Sequence, residues 1–246
     1  MQQNDAQYQK MINTPIHKLV ISLAAPTMIS MLVTSIYNVA DAYFVSKLGT
    51  SASGAVGIVF SLMAVIQAVG FMVGMGAGSV ISRLLGEKES KKAQKTASCA
   101  LLTSVVSGIG ISAFGLAYLT PLMRWMGATD TILPFAVEYA RYILYVAPVM
   151  TASFVLNNVL RAEGKTKLSM VGIASGSLLN VGLDPLFILG FGWGIRGAAL
   201  ATAVSQCVGC VVLFAFFIGK KTIIHFSAKN LSWDISVYKA FLGNGT

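Results

Sequence analysis

Six long runs of apolar residues alternate with short polar segments along the chain. The runs lie near residues 17–45, 54–82, 97–120, 132–160, 168–190 and 197–219. Because a hydrocarbon layer about 30 Å thick requires roughly 20 apolar residues in a helix, each run is long enough to cross a membrane. Backbone groups in lipid must be hydrogen-bonded internally, and the sequence lacks the short alternating segments typical of membrane barrels. The pattern therefore predicts an all-α integral membrane protein, a polytopic bundle of six transmembrane helices.

The polar ends of the chain divide it into three parts. We expect a polar cytoplasmic tail over residues 1–13, a six-helix transmembrane lobe over 14–220 and an amphipathic cytoplasmic linker over 221–246. Within the linker, residues 223–241 mix aromatic and aliphatic side chains with charged ones. Such a mixture is typical of a helix at a membrane interface, so we predict an interfacial connecting helix there.

Composition and charge agree with a membrane location. Hydrophobic residues make up 55% of the chain and charged residues 11%, and the mean hydropathy is +0.73, unlike an ordinary soluble domain. The net charge of +9 comes mainly from the two ends and from the second and fourth loops, the latter containing Arg161. Of the 18 Lys and Arg residues, the exceptions are Lys47, Arg124, Arg141 and Arg196. By the positive-inside rule we expect both termini on the cytoplasmic side of a plasma (inner) membrane, with lipid rather than nucleic acid as the partner.

Two carboxylates lie deep in the predicted spans. Of the 9 Asp and Glu residues, only Asp41 in span one and Asp184 in span five lie outside tails, loops and helix ends. A carboxylate at the bilayer centre costs about 2.5–3.5 kcal/mol, so each needs polar partners or a watery cavity. Asn180 stands four residues before Asp184, which places the amide and the carboxylate on one helical face. Supporting candidates are Tyr37 and Asn38 before Asp41, and Thr202 and Gln206 on span six.

Two prolines interrupt the spans that carry the acids. Pro26 in span one and Pro185 in span five cannot donate a backbone hydrogen bond. We expect both to bend their helices and to free carbonyl oxygens near the acids. Clustered oxygens stabilise a proton or a hard cation such as sodium. The alternative is that these polar groups only hold helices together, as small polar side chains in membranes often do.

Two other motifs indicate packing rather than chemistry. Gly192, Gly194 and Gly197 match a dinucleotide-binding spacing, but no predicted strand precedes them, so we interpret them as a turn between spans five and six. Cys207 and Cys210 lie on one face of an apolar helix, outside the soluble folds in which such a pair carries redox or metal chemistry. We therefore expect no cofactor and no enzymatic activity.

Three segments together resemble the multidrug and toxic compound extrusion (MATE) transporters. They are AAPTMISMLVTSIYNVADAYFV at 24–45, NVGLDPLFILG at 180–190 and WGIRGAALAT at 193–202. The resemblance covers nearly the whole chain, as the amino-terminal six-helix lobe of a two-lobe fold.

The resemblance also implies a coupling-cation site. The matching residues, which would bind a proton or sodium, are Asp41, Asn180, Asp184 and Thr202. A tyrosine of the fourth helix joins this site in some members of the family. Tyr139 is the match here, although Tyr142 is close to it in sequence.

The function implied is a cation-coupled (proton or sodium) multidrug efflux antiporter that exports small organic cationic or amphipathic compounds. Cation binding at Asp41 and Asp184 would bend or straighten span one at Pro26. Candidates to line the substrate path are Met28, Met31, Met63 and Phe154. Because the family has two lobes, we expect either a truncated gene product or a half-transporter that pairs with a second six-helix lobe or a second copy of the chain.

Three alternative functions are weaker. A lipid-linked precursor flippase of related architecture would carry basic groups along its cavity to hold phosphates, and no predicted span centre contains Lys or Arg. A non-transporting fragment is the second alternative. An intramembrane aspartyl protease would resemble a Tyr-Asp and Gly-x-Gly-Asp pattern, whereas Asp41 follows Ala40 and Asp184 follows Leu183.

Overall fold

The computed structural model describes residues 14–219, 222–226 and 235–245. Six helices in this part of the chain are long and apolar enough to cross a membrane, which confirms the predicted bundle. They are α1 (Ile16–Ser46), α2 (Thr50–Gly86), α3 (Ser90–Ala117), α5 (Leu133–Ala162), α6 (Thr166–Pro185) and α7 (Gly194–Ile218). Two shorter helices are α4 (Leu119–Trp125) and α8 (Ile235–Gly243). The predicted tail over 1–13 lies outside the described residues.

The six long helices form two groups that meet at α5. Helices α2 and α3 pack against α5, while α6 packs between α1 and α7. An extensive interface between α5 and α7 joins the two groups. As the helix most enclosed by its neighbours, α5 supplies many of the buried side chains of the apolar core, among them Ala140, Ile143 and Leu144.

Helix α1 turns its polar face toward the bundle and its apolar face outward. Its buried residues are Pro26, Ser30, Tyr37, Asp41 and Val45, whose spacings of four and seven place them on one face. The exposed side chains include Ile29, Leu32, Ile36 and Val39. Only 11% of its most apolar stretch is buried inside the bundle. This arrangement is the reverse of a soluble amphipathic helix and fits a helix whose outer surface faces lipid.

Glycines let α6 and α7 approach closely. A Cβ atom added to Gly176 would lie 2.9 Å from the carbonyl oxygen of Ser205 on α7. A Cβ on Gly209 of α7 would lie 3.4 Å from the carbonyl oxygen of Gly172 on α6. Small residues at such crossings allow backbones to pack tightly where lipid provides no hydrophobic drive for association.

The turn between α5 and α6 depends on a glycine. Gly164 has φ +73°, and its N–H donates to the carbonyl of Arg161 at 2.9 Å. The N–H of Lys165 donates to the carbonyl of Leu160 at 2.8 Å. These two bonds form a Schellman motif, in which a left-handed residue ends the helix and satisfies its last carbonyls.

The linker differs from the interfacial helix predicted over 223–241. Residues 222–226 are not helical, and the described helix begins only at Ile235. The reason is a side chain at the end of α5, because the buried carboxylate of Glu163 accepts hydrogen bonds from the N–H groups of Ile223 at 3.0 Å and Ile224 at 2.9 Å. Lys165 Nζ also donates to this carboxylate, at 2.7 Å. Helix α8 packs on α2 and α3, with Phe241 fully buried.

The close approach of α6 and α7 predicts a position-specific effect of valine. Gly176→Val places its side chain against the Ser205 carbonyl, so we expect it to destabilise the chain by about 1–3 kcal/mol through overpacking. The measurement is the free energy of unfolding in dodecyl maltoside–SDS mixed micelles. Gly182→Val, on the same helix with open space around it, is the matched control. Equal effects of the two substitutions would contradict a fixed close crossing.

Candidate functional site

The two intramembrane acids come together from helices that lie side by side. Asp41 is on α1 and Asp184 is in the last turn of α6, and these helices pack along each other. Asp41 is 1% exposed and Asp184 is fully buried. The two carboxyl groups are close enough for their charges to interact. The sequence prediction that both acids are deep in the bundle is therefore matched by their positions.

A hydrogen-bonded chain of three residues, Asn180, Thr202 and Tyr139, begins at Asp184. In the orientation that satisfies both ends of its amide, Asn180 Nδ2 donates to Asp184 Oδ2 at 3.0 Å and its Oδ1 accepts from the N–H of Thr202 at 3.3 Å. The Thr202 hydroxyl lies 3.2 Å from the Tyr139 hydroxyl. All these side chains are buried. Helices α5, α6 and α7 thus each contribute one polar group to the same network.

Asp41 is less well satisfied than Asp184. Its Oδ1 atom is buried and has no hydrogen-bond partner within the described part of the chain. An unsatisfied buried polar atom costs about 1–3 kcal/mol. Tyr37, one turn earlier on α1, is buried within electrostatic range of both acids. A proton or cation bound at Asp41 would therefore relieve a larger free-energy cost than one bound at any other group of this cluster.

Pro185 and the backbone after it make the end of α6 irregular. The helix widens into a π-helical turn over Leu186–Gly190, in which the N–H of Phe191 donates to the carbonyl of Leu186 at 2.9 Å. Pro185 offers no N–H to the carbonyl of Val181, which lies in the same turn as Asp184. Irregularities of this kind are frequent at functional sites in helices.

Three other candidates occupy different places. Pro26 lies inside the continuous helix α1, roughly four turns or about 22 Å from Asp41 at 1.5 Å per residue. The prediction that it frees an oxygen near the acids is therefore wrong, whereas its role in bending stays a prediction. Asn38 is exposed and makes no hydrogen bond to the cluster in the described structure. Tyr142 packs partly buried against the apolar core, so Tyr139 is the tyrosine of the network.

A cavity of about 460 Å³ lies between the two helix groups, beside their α5–α7 contact, and ends at the polar cluster. Its walls come from α1, α2, α5, α6 and α7, and Tyr37, Asn180 and Thr202 line it. Lining side chains that the sequence singled out also include Met31, Phe154 and Gln206. Met63 instead lies in the apolar core and Met28 is exposed. The cluster therefore communicates with a space large enough for a small organic molecule.

Arg161 is a lining residue that sequence reasoning assigned to a solvated loop. It lies in the last turn of α5, is partly buried and faces the cavity. Its Nε donates to Ser169 Oγ at 3.3 Å. The available signal was its spacing of four from Asn157, which also lines the cavity. A residue at a helix end is easily mistaken for a loop residue because helix boundaries are the least certain part of a sequence prediction.

Comparisons with known proteins agree with this architecture. The MatE family model matches residues 26–186. The multidrug export protein MepA of Staphylococcus aureus (strain MRSA252) is 28% identical over 226 residues, which are 92% of this chain and 50% of MepA. Solved structures of a MATE in the straight and the bent conformation are each 33% identical, with TM-scores of 0.89 and 0.87. They cover 96% and 93% of this chain and 53% and 51% of their own chains, so the chain spans about half the length of its relatives.

The contact between Tyr139 and Thr202 predicts coupled effects on stability. Tyr139→Phe or Thr202→Val alone leaves one buried hydroxyl without its partner and should cost about 1–3 kcal/mol. The double variant should cost less than the sum of the two, with a coupling of about 0.5–3 kcal/mol. The measurement is a double-mutant cycle on the free energy of unfolding in mixed micelles. Tyr142→Phe combined with Thr202→Val is the control and should be additive; additivity in the Tyr139 cycle would refute the contact.

Proposed function

Because the chain belongs to the MatE family, we propose that it is one six-helix lobe of a multidrug efflux transporter whose carboxylate pair couples export to a proton or sodium ion. Six apolar helices support a multi-pass membrane protein. The chain spans about half the length of its relatives, and in this proposal a second six-helix lobe or a second copy of the chain completes the transporter. The distribution of basic residues supports cytoplasmic termini.

The observation that carries the proposal is the unsatisfied Asp41 beside the hydrogen-bonded Asp184. Two ionised carboxylates in a poorly solvated site repel each other and lose hydration, so a bound cation or proton relieves both costs. Asn180 and Thr202 supply further oxygen atoms from α6 and α7 at the same place. Carboxylate, amide and hydroxyl oxygens are suitable ligands for a hard cation and suitable partners for a protonated acid.

Coupling to substrate would occur through the shape of α1. Hydroxyls near Pro26 bond back to carbonyls one turn earlier, with Thr27 Oγ1 donating to Leu23 O at 3.1 Å and Ser30 Oγ donating to Pro26 O at 2.9 Å. Such back-bonding bends helices, and proline removes one of the bonds that would resist bending. Because α1 carries both Asp41 and lining residues such as Met31, a change in its curvature alters the cavity. Solved relatives have a straight and a bent conformation, which supports a change of shape between two states in this family.

The proposed substrates are small organic cationic or amphipathic compounds. The cavity combines hydroxyl and amide groups with Met31, Phe71 and Phe154. Flexible and aromatic side chains can accommodate ligands of different shape. A cationic substrate would be favoured when the acids are ionised and disfavoured when a cation neutralises them, and only this difference in affinity can drive exchange.

The infrared C=O band of protonated carboxyl groups, followed against pH, tests the cation site in the purified chain. We expect Asp41→Asn and Asp184→Asn each to change the pH at which the remaining acid titrates, because interacting acids titrate as a pair. Sodium added at fixed pH should reduce the band if sodium is the ion, since a metal-bound carboxylate is deprotonated. A coupled titration that ignores sodium would identify the proton instead.

Asp130→Asn provides the control for this experiment. Asp130 is exposed and pairs with Arg124 at 3.0 Å, outside the bundle interior. Its substitution should leave the titration of the pair unchanged. Independent titration of Asp41 and Asp184 would refute the coupling proposal and leave a structural role for the two acids.

A further inference from the structure

The end of the cavity opposite the acids contains a guanidinium group with unused donors. Arg161 Nε donates to Ser169 Oγ at 3.3 Å. Asn157 Nδ2 holds the same hydroxyl, at 2.8 Å, and thereby fixes its position. Within residues 14–219, 222–226 and 235–245, no other hydrogen bond or ion pair of Arg161 is formed. Its two terminal amino groups therefore lack a partner among these residues where the side chain lines the cavity.

The nearest acidic residue in sequence does not neutralise Arg161. The carboxylate of Glu163 instead accepts from Lys165 Nζ and from the backbone N–H groups of Ile223 and Ile224. Arg161 is also the only Lys or Arg among the described residues that line the cavity. One end of the cavity therefore carries a positive charge, and the other end lies next to a pair of acids.

We propose that Arg161 forms an oxyanion subsite at this end of the cavity, which takes the carboxylate or phosphate of an amphipathic molecule. A guanidinium presents parallel donors that match these groups in geometry and charge. The lining of α6 runs from Gly172 to Asn180, about 12 Å at 1.5 Å per residue, which suits an amphiphile that extends from this end toward the acids. The inference rests on the proposed function only in taking the cavity as the substrate path.

Equilibrium binding to the purified full chain in a neutral maltoside detergent tests the subsite. The probes are 1-naphthoate, 1-naphthylmethylammonium as a cation of the same ring, and dihexanoyl phosphatidic acid as a lipid headgroup. Arg161→Gln should weaken naphthoate binding about tenfold or more, since a charged hydrogen bond is lost, and should leave the ammonium probe unchanged. Arg161→Lys should give an intermediate loss because the charge stays but the paired donors do not.

Arg83→Gln is the matched control, because Arg83 occupies the last turn of α2 as Arg161 does that of α5. It is exposed and does not line the cavity, so naphthoate binding should not change. Arg161→Lys carries the test if Arg161→Gln does not fold.

The outcomes are distinct. Unchanged naphthoate affinity in Arg161→Gln with an intact thermal unfolding transition, or in Arg161→Lys if Arg161→Gln does not fold, would overturn the subsite. If phosphatidic acid displaces naphthoate and also requires Arg161, the oxyanion can belong to a lipid headgroup; if naphthoate alone requires Arg161, it belongs to a soluble compound. Uncoupled titration of the acids alongside Arg161-dependent binding would refute the proposed coupling and leave the subsite standing.

Discussion

A carboxyl group inside a membrane is stable only where polar groups or a watery space offset its lost hydration. Asp41 and Asp184 impose this requirement from two different helices, and the surrounding helices supply both the polar groups and the space. Helix α1 presents its polar face to the bundle, α6 and α7 supply Asn180 and Thr202, and a cavity reaches the cluster. The glycine crossing of α6 and α7 brings those two residues within hydrogen-bond distance. The packing of these helices and the positions of their polar residues are therefore both arranged around the same pair of acids.

Spacing along the sequence predicted the spans and much of the site. Apolar runs long enough for the membrane predicted six helices, and a separation of four residues placed Asn180 and Asp184 on one face. What spacing cannot predict is which face of one helix meets which face of another. The contacts of Thr202 with Asn180 and Tyr139 depend on that packing, and the expectation that they share a site came from the family resemblance.

The sequence predictions that differ from the structure concern residues at the end of a helix or beside the narrow buried face of a helix. Arg161 and Glu163 stand at the end of α5, where the sequence indicates a solvated loop, yet one lines the cavity and the other is buried. The presence of polar residues at a helix end shows the local composition, but it does not show where a long side chain points. Asn38 is three residues from Asp41, but the buried face of α1 follows spacings of four and seven and leaves it outside.

The bonds from Glu163 to Ile223 and Ile224 close a noncovalent ring in the chain. The ring begins at the end of α5, passes through α6 and α7 and returns to its starting point. Residues 222–226 follow α7 in the chain but are bonded to the end of α5, so any sliding of the α6–α7 pair along α5 strains or breaks these bonds. Residues 222–226 are therefore held at the α5–α6 turn rather than at the end of α7 alone, and a displacement of that turn moves them with it.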